Sequence, residues 1–175
     1  PMNLRHDALL GATHLIQEVN RLGKLTQHSR GTVGMIVNRC NWRNVVPGET
    51  VFSVDFRDTD LAGLDRMEQG LRAAAAKVAK EHGLGIELKQ TVFFPPCQFD
   101  RECVAAVRAG VERLGYSHMD IVSGAGHDAV YIARVAPTAR RRPISRVRNR
   151  TEMRRVLTMP RKPMMRARRT WTRVG

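Results

Sequence analysis

Residues 44–58 read NVVPGETVFSVDFRD, and the second half of that stretch decides the fold. From Thr50 the residues alternate, with Thr50, Phe52, Val54 and Phe56 on one side and Val51, Ser53, Asp55 and Arg57 on the other. A period of two sends successive side chains to opposite faces of an extended chain, so the stretch is expected to be a strand with one apolar face. Asn, Pro and Gly in front of it mark a bend. Upstream, TVGMIVN (residues 32–38) alternates as well, with Val33, Met35 and Val37 expected on one side of a second half-buried strand.

Helical periodicity flanks this pair. Ala8, Leu9, Ala12, Leu15, Ile16, Val19 and Leu22 recur at the three-and-four spacing of one helix face, with Asn3 or Asp7 near the start as caps. Asp60 opens a second helix through Leu61, Leu64, Met67, Leu71, Ala74, Ala75 and Val78, and Gly83 is placed to close it in a left-handed conformation. A further strand is expected around residues 85–94, stopped by Pro95-Pro96. The order helix, strand, strand, helix, strand suits an α+β domain over residues 1–94, an antiparallel sheet with two helices on one face. Asp100 then caps a third helix whose Val104, Val107, Val111 and Leu114 are expected to be buried, ended by Gly115. The segment SHMDIVSGAGHDAVYIARVAPTA (residues 117–139) reads as a short strand, a glycine turn and a helical run, the grammar of an α/β fold.

The formal charge of +14 suggests a nucleic-acid or anionic-membrane partner at first sight. Its placement argues otherwise. Residues 138–175 hold 14 Arg and Lys against one acid, Glu152, and the body before them is close to neutral at +1. Three cysteines, Cys40, Cys97 and Cys103, are an odd number at spacings of neither a zinc ribbon nor a redox pair, which fits a reducing cytoplasm. No apolar run approaches the roughly 18–20 residues needed to span a bilayer, so a soluble cytoplasmic protein without a membrane partner is expected. The start, PMNLRHDALLG, lacks signal-peptide order and reads as the middle of a protein.

Two constellations are able to carry chemistry. An asparagine in the bend, Asn44, and an arginine on the polar face of the following strand, Arg57, are expected to project the same way, and a guanidinium suits a carboxylate by its two parallel hydrogen bonds. The plainer alternative is a turn residue and a solvated strand residue. In SGAGHDA (residues 123–129), two glycines allow close backbone approach and His127 can donate to a substrate oxygen or move a proton. The plainer alternative there is a turn with Asp128 as a helix cap. A dinucleotide fingerprint fails at Ala129, and no Walker lysine follows. His6, His14, His28, His82 and His118 show no metal-ligand spacing, and Cys97 and Cys103 lack an evident partner base. Trp42 between Arg39 and Arg43 is either a loop anchor or a base-stacking residue.

In order and at similar distances, PMNLRHDAL, TVGMIVNRCNWRNVVPGETVFSVDFRD and SGAGHDAVYIARVAPTA resemble the M20-type peptidase and amidase superfamily, over about residues 1–139. The nearest branch is the hydantoinase/carbamoylase group, with N-carbamoyl-L-amino-acid hydrolases, β-ureidopropionases and allantoate amidohydrolases. The resemblance implies a lid or dimerisation domain over residues 1–94, a C-terminal fragment of an α/β catalytic domain over 95–139, and a homodimer formed through the lid. It implies that Asn44 and Arg57 bind the substrate carboxylate and that His127 stands near the substrate, an N-carbamoyl or ureido acid whose non-peptide C–N bond is cleaved. It also implies two divalent metal ions, of zinc or manganese/cobalt type, whose ligands and catalytic glutamate this sequence does not supply. From residue 140 the sequence departs from the family pattern into RRRPISRVRNRTEMRR, as a frameshifted tail would. The expectation is a fragment inactive in hydrolysis, with a basic-tailed nucleic-acid-binding protein and a non-catalytic dimerisation module as the alternatives.

Overall fold

The computed structural model describes residues 1–140. The Arg-rich segment singled out above falls, apart from Arg140, outside the described residues. The chain divides into two compact units, with the division between Pro96 and Cys97.

The described part of the first unit contains two α-helices and one hairpin. Helix α1 (Ala8–Leu22) begins where the Asp7 carboxylate accepts from the Leu10 N–H at 3.0 Å, so Asp7 is the cap and Asn3 lies in a short 3-10 turn, Met2–Leu4. Strands β1 (Arg30–Asn38) and β2 (Thr50–Arg57) pair antiparallel. Helix α2 (Leu61–His82) starts at Asp60, whose carboxylate accepts from the Gly63 N–H at 2.6 Å, and ends at Gly83 in the left-handed region (φ 63°). Both of these caps follow the sequence pattern, because capping is a local contest that the first and last turns settle themselves.

The core lies between the two helices and one face of the hairpin. Leu15, Val19 and Leu22 of α1, Leu64, Met67 and Leu71 of α2, and Phe52, Val54 and Phe56 of β2 form one buried cluster. The alternation of β2 is thus realised, with Thr50 fully buried on the same face and its hydroxyl donating to Asn38 Oδ1 at 2.7 Å. Two helices on one face of an antiparallel pair is the arrangement expected from the sequence.

Strand β1 departs from expectation. Val33 pairs with Val54 but Ile36 pairs with Phe52, so three steps on β1 match two on β2. This one-residue bulge exchanges the faces beyond it. Ile36 and Asn38 rather than Met35 and Val37 take the register of Phe52 and Thr50, although Ile36 is exposed (45%) much as Met35 and Val37 are (48% and 52%). Residues 85–94 form no strand beyond an isolated bridge at Ile86. Ile86 and Leu88 nevertheless lean on the core cluster, so burial alternates there without a backbone ladder. Burial of side chains and pairing of backbone are separate requirements, and this segment meets the first.

In the second unit the described residues are 97–140. Helix α3 (Arg101–Arg113) is capped by Asp100, which accepts from the Cys103 N–H at 2.8 Å. Helix α3 has no buried residue, contrary to the expected inward face of Val104, Val107, Val111 and Leu114. The expected strand before SGAGHDA is also absent, and the helical run after it is the four-residue α4 (Ala129–Ile132). A strand needs a neighbour to take its hydrogen bonds, and none of the described residues of this unit forms a ladder with this segment.

Candidate functional site

Arg57 ends β2, on the face opposite the Phe52 and Val54 core contacts. Its Nε donates to Asp55 Oδ1 at 3.0 Å and its Nη2 to Asp55 Oδ2 at 2.7 Å, a two-point ion pair within one strand. Residues two apart on a strand share a face, which is why the pair forms. The Asp55 hydrogen bonds raise the guanidinium's affinity for its proton above the ordinary value, against the opposing effect of partial burial. Arg30 stands opposite Arg57 in the ladder and turns its Nη1 to the carbonyls of Gln27 and Ser29, both at 2.7 Å. Asp55 thus places a negative charge among cations that would otherwise repel across the strands.

Asn44 lies in an exposed turn of the loop joining β1 to β2. Three residues on, Pro47 offers its carbonyl to the Ala8 N–H at the start of α1, at 3.2 Å. Arg57 lies toward the other end of that helix, where Gly23 fits closely against Gly31, the neighbour of Phe56 in the ladder. The length of β2 therefore separates Asn44 from Arg57, on the order of 20 Å at the usual rise per strand residue. The expectation that the two project together within one chain is corrected by this register. They occupy opposite ends of the hairpin.

His127 belongs to the second unit and is exposed. Its Nδ1 accepts from the Ala129 N–H at 3.0 Å, so the imidazole rather than Asp128 serves the start of α4, and Asp128 makes no side-chain cap bond. With Nδ1 accepting, a neutral ring carries its hydrogen on Nε2, which is then a donor toward a ligand. In the same unit, Asp100 beside Cys103 pushes that thiol up, away from the reactive thiolate.

Among the described residues no three His, Cys, Asp or Glu side chains stand together as a metal would require. The described residues therefore do not fit the paired ions that the resemblance implies. The sequence reading missed Asp55 as the partner of Arg57, although the D-x-R spacing on one strand face was its signal. Among the described residues no helix is long and apolar enough to cross a membrane.

The first unit is thus an α+β unit with a guanidinium at a strand end, paired there with Asp55. No family model matches the chain. It is 42% identical over 139 residues to an N-carbamoyl-L-amino-acid amidohydrolase of Rhizobium meliloti, covering 79% of this chain and 33% of that protein. It is 32% identical over 139 residues to the allantoate amidohydrolase of Escherichia coli, covering 79% and 34%. Among solved structures, a hydantoinase/carbamoylase-family amidase from Burkholderia multivorans superposes with a TM-score of 0.75 at 49% identity, covering 78% of this chain and 34% of that one. The chain is thus a homologue of the hydantoinase/carbamoylase amidases over about 78% of its length, and it spans about a third of the length of the relatives it matches.

Proposed function

We propose that this chain carries the carboxylate-gripping part of an amidohydrolase that cleaves the non-peptide C–N bond of N-carbamoyl-L-amino acids or related ureido acids, with residues 1–94 as its lid or dimerisation domain and residues 95–139 as part of its α/β catalytic domain. The observation that carries the reading is the Arg57 guanidinium, held at a strand end in a homologue of enzymes named for carbamoyl amino acids and allantoate. Arg57 binds the substrate carboxylate by paired hydrogen bonds. Asn44 supplies an amide donor. His127 offers Nε2–H to a substrate oxygen.

A substrate of this size does not reach both Asn44 and Arg57 in one chain. The reading therefore places Arg57 of one copy and Asn44 of a second copy at the same ligand, in a homodimer formed through the lid domain. The described residues bind and orient, and the chain alone binds without hydrolysing. A cytoplasmic setting suits its free cysteines.

Titration of the full chain with N-carbamoyl-L-alanine, followed by a hydrolysis assay, tests this. Saturable binding that is lost in Arg57→Ala and weakened in Asn44→Ala is the expected outcome. Binding unchanged in Arg57→Ala refutes it.

A further inference from the structure

We propose that Asp55 is a positioning residue for the ligand carboxylate: it fixes the plane and direction of the Arg57 guanidinium. The inference rests on Arg57 being the carboxylate grip, as argued above. Asp55 and Arg57 stand two apart on the same face of β2 and share two hydrogen bonds, at 3.0 and 2.7 Å. The acid is the more buried partner, its side chain 19% exposed against 40% for the arginine. An arginine side chain loses its rotamer freedom when it binds an anion, and a side chain already ordered loses less. Arg30 across the ladder is committed to the carbonyls of Gln27 and Ser29 and does not take Asp55 away.

Two effects of Asp55 on an incoming carboxylate oppose one another. Its negative charge repels the ligand, and its ordering of Arg57 favours it. The geometry points to ordering as the larger, because the pair is two-point and lies in a regular strand whose neighbouring side chains are buried. The sign of the effect of Asp55→Asn therefore decides the matter.

The experiment uses the full chain, labelled with nitrogen-15, and follows the Arg57 Nε–H signal during titration with N-carbamoyl-L-alanine and with its carboxamide. Asp55→Asn is expected to weaken binding of the carboxylate by roughly three- to tenfold, the range set by ordering one rotamer-rich side chain. Binding of the carboxamide is expected to be unaffected, and Asp55→Glu to recover most of the loss. Equal or tighter carboxylate binding by Asp55→Asn overturns the proposal, as does an equal loss for the carboxamide, which marks a merely structural role. Where Asp55→Asn does not fold, Asp55→Ser is judged by the same criteria. Arg57→Ala is the separate control: if it binds the carboxylate as well as the parent does, the grip itself is refuted and the proposal falls with it. Loss in Arg57→Ala without loss in Asp55→Asn refutes the positioning role alone.

Discussion

The Ser29 hydroxyl donates to Asp58 Oδ2 at 2.6 Å, joining the approach to β1 to the exit of β2 across 29 residues of sequence. Ser29 is 1% exposed, and the other Asp58 oxygen accepts from the Thr59 N–H at 2.6 Å and the Asp60 N–H at 3.4 Å. The bond thus pins the end of the hairpin next to Arg57. Ser29→Ala removes a buried donor from a carboxylate and is expected to cost about 1.5–3 kcal/mol of stability, read from denaturant midpoints.

Burial alone would raise the Asp58 carboxyl, but the Ser29 hydroxyl and the backbone N–H groups of Thr59 and Asp60 outweigh it, so its pKa lies below the usual value. A depressed folded value means that its contribution is complete above the unfolded value of about 3.9 and is lost as pH falls through the folded value. Stability is expected to decline below about pH 4. Asp58→Asn is expected to lower stability at neutral pH and flatten this acid limb. An acid limb as steep in Asp58→Asn as in the parent would show that other carboxylates govern it.

Gly31 sits where β1 passes the end of α1. A methyl group there would fall inside contact distance of the Val19 carbonyl oxygen and press on Phe56. Backbone on one side leaves nothing free to swing aside, so Gly31→Ala is expected to destabilise by about 1–3 kcal/mol. Thermal unfolding of the variant measures the loss.

Met67 on α2 is fully buried in the cluster, whereas Val111 on α3 belongs to a helix with no buried residue. Met67→Ala is expected to cost about 2–5 kcal/mol. Val111→Ala is expected to stay within about 0.5 kcal/mol, as surface changes do. Comparing the two in one denaturation series checks the contrast.

How much of this could be read from the sequence depended on the range of the forces involved. Asp7, Asp60, Asp100 and Gly83 cap or close their helices as the pattern indicates, since each answers to its own turn. The two faces of β2 were legible because one packs under both helices. The bulge in β1 was not, because it exists only in the pairing of two strands, and Val33-Gly34-Met35 alternates well enough alone. The amphipathic pattern of α3 was real, yet burial needs a covering element that the pattern does not describe. Asn44 and Arg57 were both visible as chemistry. Their separation was not, since it follows from which end of the hairpin each occupies. The Asp55 partner was legible in the D-x-R spacing, since residues two apart on a strand share a face.

The extra residue between Val33 and Ile36 works as an index mark. A uniform ladder can slide by two residues and keep its faces, but a hairpin with one offset can seat in only one way. Loss of a single residue at Gly34 would set two steps against two and erase the mark, leaving a uniform ladder in which Ile36 still faces Phe52 and Asn38 still faces Thr50, while most replacements at Met35 would leave the offset in place.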